Sequence, residues 1–282
     1  MAKKTTLKAN CFGLPYMGSK NGIAKRIVAL LPRATHFYDL FCGGCAITHV
    51  AMLSGKWQQY HINDISMMPQ LFADAVAGKY ANERRWISRE DFFRLKDTDP
   101  YVACVWSFGN DCRTYMYGKD IEEVKHALHD IHFATTSQER NEAMARYRSL
   151  TKGGAQRNII CESLQSLQSL QSLQSLQSLQ SLQSLQRDYR DVPIEDDAVI
   201  YCDPPYKDTA EYAHGEFDHE AFYDWCEAQT QPVYISEYSM PSDRFVCIAE
   251  FSKPSLRNNE GLEKKKMVIE KVFRPRKQVI GA

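Results

Sequence analysis

Val199-Ile200-Tyr201-Cys202-Asp203-Pro204-Pro205-Tyr206 is the stretch on which the fold is read. Its first four residues favour extended backbone. The two prolines lack an N–H and fix φ, so a strand stops where the acid stands. A carboxylate, a proline carbonyl and an aromatic ring are thereby set together at the carboxyl end of a strand, the edge at which open α/β sheets bind ligands. One reading is a strand end with a Pro-Pro turn and an exposed acid. The other is a pocket for a planar amine, in which Asp203 and the Pro204 carbonyl each accept one hydrogen of an exocyclic NH2 and Tyr206 stacks on its ring. The tetrapeptide alone favours the first.

Upstream, a helical pattern from Asn21 to Leu31 leads through Pro32 to the apolar run His36–Phe41, which reads as a buried strand. It ends in Cys42-Gly43-Gly44, and helix formers resume from Cys45 to Met52. Strand, glycine turn and helix bring backbone N–H groups close to a ligand. A second short strand, Gln59–Ile62, ends in Asn63-Asp64, with Asp64 placed 20 residues after Gly44. That is about the spacing at which an acid meets the ribose of an adenosine cofactor. NAD and S-adenosylmethionine (SAM) both remain open at this point.

The totals exclude less than the distribution suggests. The chain has 282 residues, 44% hydrophobic and 25% charged, with a formal net charge of zero. Those values suit one large soluble domain, or a main domain with a smaller one inserted. Residues 1–33 carry seven Lys/Arg and no acid, and residues 253–277 carry nine Lys/Arg against three acids. Two solvated faces explain this as well as phosphate-facing surface does. Nine scattered cysteines, no apolar signal core and no membrane-spanning run point to a reducing cytoplasm. Cys42-x-x-Cys45 stands without a second pair and is weak evidence for zinc or redox chemistry.

From about Met67 to Ile160 helical patterns (69–76, 121–131 and 138–150) alternate with aromatics and basic residues. Trp106–Tyr115 combines Asn, Arg and aromatics in a glycine-broken segment, the residue types used for base edges and stacking. It also suits a loop anchored by Trp and Phe in a helical subdomain. Ser163–Gln186 is eight copies of Ser-Leu-Gln. Leucines three apart drift by ~60° per copy around an α-helix and alternate faces in a strand; only a short 3₁₀ turn aligns them. The expectation is a helix in the early copies and a strand in the last one or two, leading to Asp188. Further on, 217–228 reads as an amphipathic helix and 232–236 as a strand. Late strands at 244–251 and 267–273 complete an alternating α/β chain with antiparallel pairing at its end.

In their order, Tyr16-Met17-Gly18-Ser19-Lys20, Asp39-Leu40-Phe41-Cys42-Gly43-Gly44, Asn63-Asp64 and Asp203-Pro204-Pro205-Tyr206 resemble the motifs of the Dam-like DNA adenine-N6 methyltransferases. These are SAM-dependent enzymes of bacteria and phages. The likeness covers roughly residues 12–72 and 186–275. It implies an α/β fold, with a Rossmann-like SAM-dependent methyltransferase sheet at 1–66 and 186–282. It also implies an inserted, mainly helical DNA-recognition domain at 67–160, with the repeat (161–186) as connector. By the same resemblance Tyr16 and Lys20 border the SAM pocket, and the turn containing Asp39, Phe41 and Gly43 holds the methionine part. Asp64 binds the ribose hydroxyls and Asp188 lies near the adenine ring of SAM. Asp203, with Pro204, Pro205 and Tyr206, forms the catalytic pocket, Asp203 lying between the methionine end and the target amine. Phe108–Arg113 resembles the family's DNA-contacting segment, so Asn110, Arg113 and Tyr115 are the expected DNA contacts. The pattern of GATC-specific members is not followed beyond Tyr117, and no target sequence is implied.

The expected activity is methyl transfer from SAM to adenine N6 of flipped-out duplex DNA in the cytoplasm, without metal or membrane. Cytosine-N4 and RNA-adenine methylation would use the same pocket chemistry. A catalytically silent DNA-binding relative and a nicotinamide oxidoreductase are the alternatives of other classes.

Overall fold

Strand β1 (His36–Asp39) lies at the centre of a seven-stranded sheet. The computed structural model describes residues 12–16, 19–151, 161–177, 181–206, 217–254 and 267–280. The basic stretch up to residue 11 and the basic residues of 255–266 lie outside the described residues. The other strands are β2 (Gln59–Asn63), β3 (Ser181–Leu185), β4 (Ala198–Cys202), β5 (Val233–Glu237), β6 (Phe245–Pro254) and β7 (Met267–Pro275). Their order across the sheet is β3-β2-β1-β4-β5-β7-β6. The first five are parallel, and β7 enters antiparallel between β5 and β6. The chain steps outward from β1 in one direction and later resumes at β4 on its other side. This Rossmann-like order puts a topological switch point, and hence a ligand crevice, at the carboxyl ends of β1 and β4.

Register decides which side chains meet at that edge. Asp39 pairs with Tyr201 across β1 and β4, and Cys202 pairs with Ile235 across β4 and β5. Glu237, the last residue of β5, lies opposite Lys271 of the antiparallel β7, so Glu270 reaches the same edge from the other direction. The sheet is buried on both faces, so every residue of β4 and β5 is buried and β4 reads as an unbroken apolar run. On one face Tyr38, Leu40, Ile200, Cys202 and Ile235 pack with Phe222, Tyr223 and Cys226 of the helix His219–Ala228.

The helices are α1 (Ala24–Leu30), α2 (Ala46–Ser54), α3 (Met68–Val76), α4 (Arg89–Leu95), α5 (Pro100–Val105), α6 (Glu122–Phe133), α7 (Ser137–Leu150), α8 (Glu162–Ser172), α9 (His219–Ala228) and α10 (Lys277–Ile280). The chain divides into two compact units. Met1–Gly13, Ser19–Ala73 and Ser178–Ala282 form the sheet unit; Leu14–Gly18 and Asp74–Gln177 form the helical one. The helical unit is organised by capped helix starts and an aromatic core. Asp99 accepts from Tyr101 and Val102 N–H at the start of α5, and Thr136 with Glu139 forms a capping box on α7. Trp86 stacks on His126 at 4.4 Å and meets Trp106 edge-on at 4.9 Å.

The Ser-Leu-Gln repeat changes structure along its length, as its period requires. Leu167, Leu170, Leu173 and Leu176 are all buried, although they recur every three residues. α8 gives way at Ser172 to a 3₁₀ turn over Leu173–Leu176, and its three-residue period keeps the last two leucines on one side. The last two copies supply β3, parallel to β2, where Gln183 Oε1 meets His61 Nδ1 at 2.9 Å. The register of β3 is fixed from beyond the repeat. Asn63 Nδ2 donates to the Arg187 carbonyl at 3.0 Å, and Arg187 N donates to Asn63 Oδ1 at 3.2 Å.

Any two adjacent copies offer the same Ser-Leu-Gln-Ser-Leu, so an added copy leaves β3 and α8 unchanged residue for residue. A nine-copy chain should therefore melt within about a degree or two of the natural one. A six-copy chain must give up the burial of Leu176 or part of β3. That costs about 2 kcal/mol or more and lowers the melting temperature by several degrees. Calorimetry of the two length variants checks this, and equal losses for both would be the contrary result.

Candidate active site

The turn after β1 is held by side chains and needs its glycine geometry. Gly43 has φ +44° and Cys45, the residue before α2, has φ +56°. Asp64 Oδ2 accepts from Gly43 N at 2.9 Å and Asp64 Oδ1 accepts from Ser66 N at 2.9 Å. Asn63 adds a second tie, its carbonyl accepting from Cys42 N and its amide donating to the Leu40 carbonyl. The Cys45 thiol lies 3.3 Å from the Cys42 sulfur, and burial pushes both thiols up in pKa. Cys42-x-x-Cys45 is thus a neutral thiol pair packed into the turn. Gly13 approaches the turn so closely that a Cβ there would stand 2.2 Å from the Gly44 carbonyl oxygen. Its N–H donates to His49 Nδ1 at 2.9 Å, and burial lowers His49 to about 4, which keeps that nitrogen an acceptor.

Beside this turn, β4 delivers Asp203 into a cluster of charges. Lys20 Nζ lies 2.8 Å from Asp203 Oδ1 and 3.3 Å from Glu270 Oε1. It also sits 4.6 Å from the centre of the Tyr206 ring. The Tyr206 hydroxyl donates to Glu270 Oε1, and Tyr238 meets the Tyr206 ring edge-on at 4.7 Å. Lys20 is 7% exposed and Glu270 is fully buried. Burial works against the Lys20 charge, but Asp203 and Glu270 outweigh it and raise its pKa. Burial pushes Asp203 up, against the pull of Lys20. Ion pairing of this kind is what allows a carboxylate to stay inside.

Two further acids lie at the edge without a cation of their own among the described contacts. Asp39, 1% exposed, accepts from Thr48 Oγ1 at 2.6 Å through Oδ2. Its Oδ1 has no partner among the described residues, and neither has Ser19 Oγ. Burial, with Asp203 and Asp64 nearby, raises Asp39 to about 7. Glu237 is also raised to about 7 by burial, with Asp203 and Glu270 adding to it, and its Oε1 accepts from Tyr238 N. An orphaned, buried acceptor in an acid-rich crevice suits a ligand that brings donors and positive charge.

The sheet unit brings together Lys20, Asp39, Phe41, Gly43, Asp64, Asp188 and Asp203–Tyr206. Phe41 packs against Tyr189, Phe217 and Phe222. Asp188 caps a short 3₁₀ turn and grips Arg190 through both oxygens, at 2.8 Å each, which lowers its pKa. Tyr16 belongs to the Leu14–Gly18 segment of the helical unit, and Met17 and Gly18 lie outside the described residues.

In the helical unit Arg113 is exposed, but Tyr115 is not available as a DNA contact. It is 3% exposed, its hydroxyl donates to the Ile87 carbonyl, and it packs against Phe92 and Tyr117. An aromatic at the end of a loop was needed to close the core. Asn110 has φ +57° and spends its amide hydrogens on the Cys104 carbonyl and Ser166 Oγ, so it shapes the loop. Glu237, Glu270, Gly13 and the stapling role of Asn63 escape the sequence reading. The usable signal for Glu270 is its place two residues from Val268 and Val272 on one face of a strand.

The raised acids carry a pH signature. In the unfolded chain Asp39 and Glu237 ionise near the ordinary value of about 4, whereas in the folded chain each holds its proton up to about 7. The native state therefore binds more protons in that window, and stability falls as pH rises through it. Asp39→Asn combined with Glu237→Gln should flatten the slope of unfolding free energy between pH 5 and 7 in urea titrations. An unchanged slope would mean that neither acid is raised.

Comparison with known proteins identifies the family. The profile of the D12 class N6 adenine-specific DNA methyltransferases matches residues 16–234. No curated protein matches the chain. Among solved structures, SMU.472, a protein assigned as a methyltransferase and crystallised with SAH, superposes with a TM-score of 0.30 at 10% identity. That alignment covers 89% of this chain and 51% of the other, so the chain spans about half the length of that protein. The profile match takes in the glycine turn, Asp64, the helical unit and Asp203–Tyr206, and the chain belongs to the D12 class N6 adenine-specific DNA methyltransferase family.

Proposed function

We propose that this chain transfers a methyl group from SAM to the N6 amine of an adenine flipped out of duplex DNA. The observation that carries the reading is Asp203, held by Lys20 at 2.8 Å through Oδ1, beside the Tyr206 ring at the carboxyl end of β4. The residues present fit a cationic adenosine cofactor: Asp39 has an orphaned oxygen for a donor, Gly43 sets the turn, and Asp64 borders it. Lys20, Phe41 and Asp188 complete the set we assign to cofactor binding. SAM, when bound, supplies an electrophilic methyl group carried on a sulfonium.

The rest is work for the chain's own residues. The N6 amine of adenine is a weak nucleophile because its lone pair is delocalised into the ring. Asp203 Oδ2 and the Pro204 carbonyl each accept one N–H, which draws the nitrogen towards a pyramidal form and frees its lone pair. Asp203 also stands beside the N–H whose proton the methylated amine sheds. Pro205 fixes the backbone between these acceptors and Tyr206. The target base must leave the duplex to reach them, and stacking on Tyr206 returns about 1–3 kcal/mol of the cost. Fixing the amine in line with the methyl group supplies the proximity gain. We assign cofactor binding and chemistry to the sheet unit and DNA recognition to the helical unit, with exposed Arg113 as a principal contact and Asn110 as the residue that shapes its loop.

Asp203→Ala should lower methyl transfer to DNA by roughly 10²-fold or more with the circular dichroism spectrum retained. Near-normal turnover measured with radiolabelled SAM would overturn the role. Arg113→Ala should raise the KM for DNA while leaving SAM affinity unchanged in calorimetry; unchanged DNA kinetics would remove it from the interface.

A further inference from the structure

Glu270 is fully buried on β7, a strand no sequence motif points to, and it touches both side chains that flank Asp203. Through one oxygen, Oε1, it takes the Lys20 ammonium at 3.3 Å and the Tyr206 hydroxyl. Lys20 in turn pairs with Asp203 through Oδ1 at 2.8 Å. We propose that Glu270 is a positioning residue for methyl transfer, setting at once the acceptor face of Asp203 and the plane of the Tyr206 ring. This deepens the function proposed above and rests on it.

The physical case lies in what each contact fixes. A lysine side chain has several rotatable bonds and a spherical head, so a single carboxylate partner does not define where its ammonium sits. A second anchor at Glu270 holds Lys20 to one oxygen of Asp203 and leaves Oδ2 for the amine. A tyrosine ring turns about its χ2 axis, and a bond from its hydroxyl restricts where the ring lies. Both anchors end on the same carboxylate oxygen, so a shift of Glu270 moves acceptor and stacking platform together. A displacement of about 1 Å at such a site costs up to about 10²-fold in rate.

Stability offers the contrast. Asp203 and Glu270 share the Lys20 ammonium, and buried ion clusters are often no better for stability than apolar packing of similar volume. Removing the Glu270 charge leaves Lys20 paired with Asp203. A residue kept for stability would lower the melting temperature when replaced; a residue kept for positioning lowers the rate instead.

The test uses the full chain with Glu270→Leu, Glu270→Gln and Tyr206→Phe, alone and combined. Glu270→Leu should lower kcat by roughly tenfold to a hundredfold, with the Kd for SAM within about threefold and the melting temperature within a few degrees. Glu270→Gln keeps an acceptor oxygen and should recover most of the rate. Tyr206→Phe should lower kcat, and the double variant should lose less than the product of the two single losses, because both variants break the Tyr206–Glu270 bond. DNA with 2-aminopurine at the target position gives a readout apart from turnover: Glu270→Leu and Tyr206→Phe should change its emission in the complex in the same sense. Wild-type kcat in Glu270→Leu, additive losses in the double variant, or a loss of fold with Glu270→Leu while Tyr206→Phe keeps full rate would each overturn the inference. A wild-type chain that binds SAM and DNA but transfers no methyl group would instead overturn the function on which it rests.

Discussion

One ammonium makes the carboxyl edge of the sheet possible. Asp39, Asp203, Glu237 and Glu270 all end there, each within or bordering the interior. Ionised together in a low dielectric they would repel strongly, and each would carry a desolvation cost of several kcal/mol. Lys20 divides them into two groups. Asp203 and Glu270 share its charge, whereas Asp39 and Glu237 are pushed up to about 7 and so hold protons over much of the neutral range. The position of Lys20 is itself set by backbone, since its carbonyl accepts from Ile23 N and Ala24 N at the start of α1. The turn that opens α1 thus fixes the charge on which the ends of β4 and β7 depend.

The parts of this site that are local in sequence are legible in the sequence itself. A strand that must stop at two prolines, a glycine turn that must follow a strand, and an acid at the end of the next strand each announce themselves within a few residues. The resemblance then orders them. What was not legible depends on strands meeting across long separations. Glu270 lies 64 residues beyond Tyr206, and only the antiparallel register of β7 brings it to the edge. Gly13 is required because a Cβ there would stand 2.2 Å from the Gly44 carbonyl oxygen, a contact with no signature in the segment itself. Tyr115 shows the opposite failure: its neighbours Asn110 and Arg113 suggested a DNA face, but an aromatic flanked by Met116 and Tyr117 has a core to fill.

The repeat illustrates how little sequence specificity a well-anchored segment needs. Identical copies adopt α-helix, 3₁₀ turn and strand in turn. Nothing in Ser-Leu-Gln distinguishes those outcomes, so the surroundings do. In the helical unit burial of every third residue favours tightening of the helix where Leu173 and Leu176 must share a side. At the sheet edge the bonds between Asn63 and Arg187, one residue past the repeat, choose which copies become β3. A three-residue shift flips the faces of a strand, yet a strand of identical copies shifted by one copy presents the same residues in the same places. Register there is a property of the anchor and not of the strand.

The charge at the edge also decides between the two adenosine cofactors that the glycine turn left open. A dinucleotide places its pyrophosphate, an anion, against the turn after the first strand and the helix that follows. Here that place is bordered by Asp39 and Asp64, and Cys45, the residue before α2, makes no side-chain cap. The Asp64 carboxylate opposes a pyrophosphate there, and Asp39, whose proton a nearby cation would displace, favours a ligand bearing an ammonium or a sulfonium. The buried oxygen of Asp39 that lacks a donor among the described residues has the same preference, since only a donor satisfies it. SAM carries both charges and NAD's phosphates carry the wrong one. The acid cluster at this edge is therefore the feature that favours a cationic adenosine cofactor over a dinucleotide, with the Lys20 ammonium paired to Asp203 beside it.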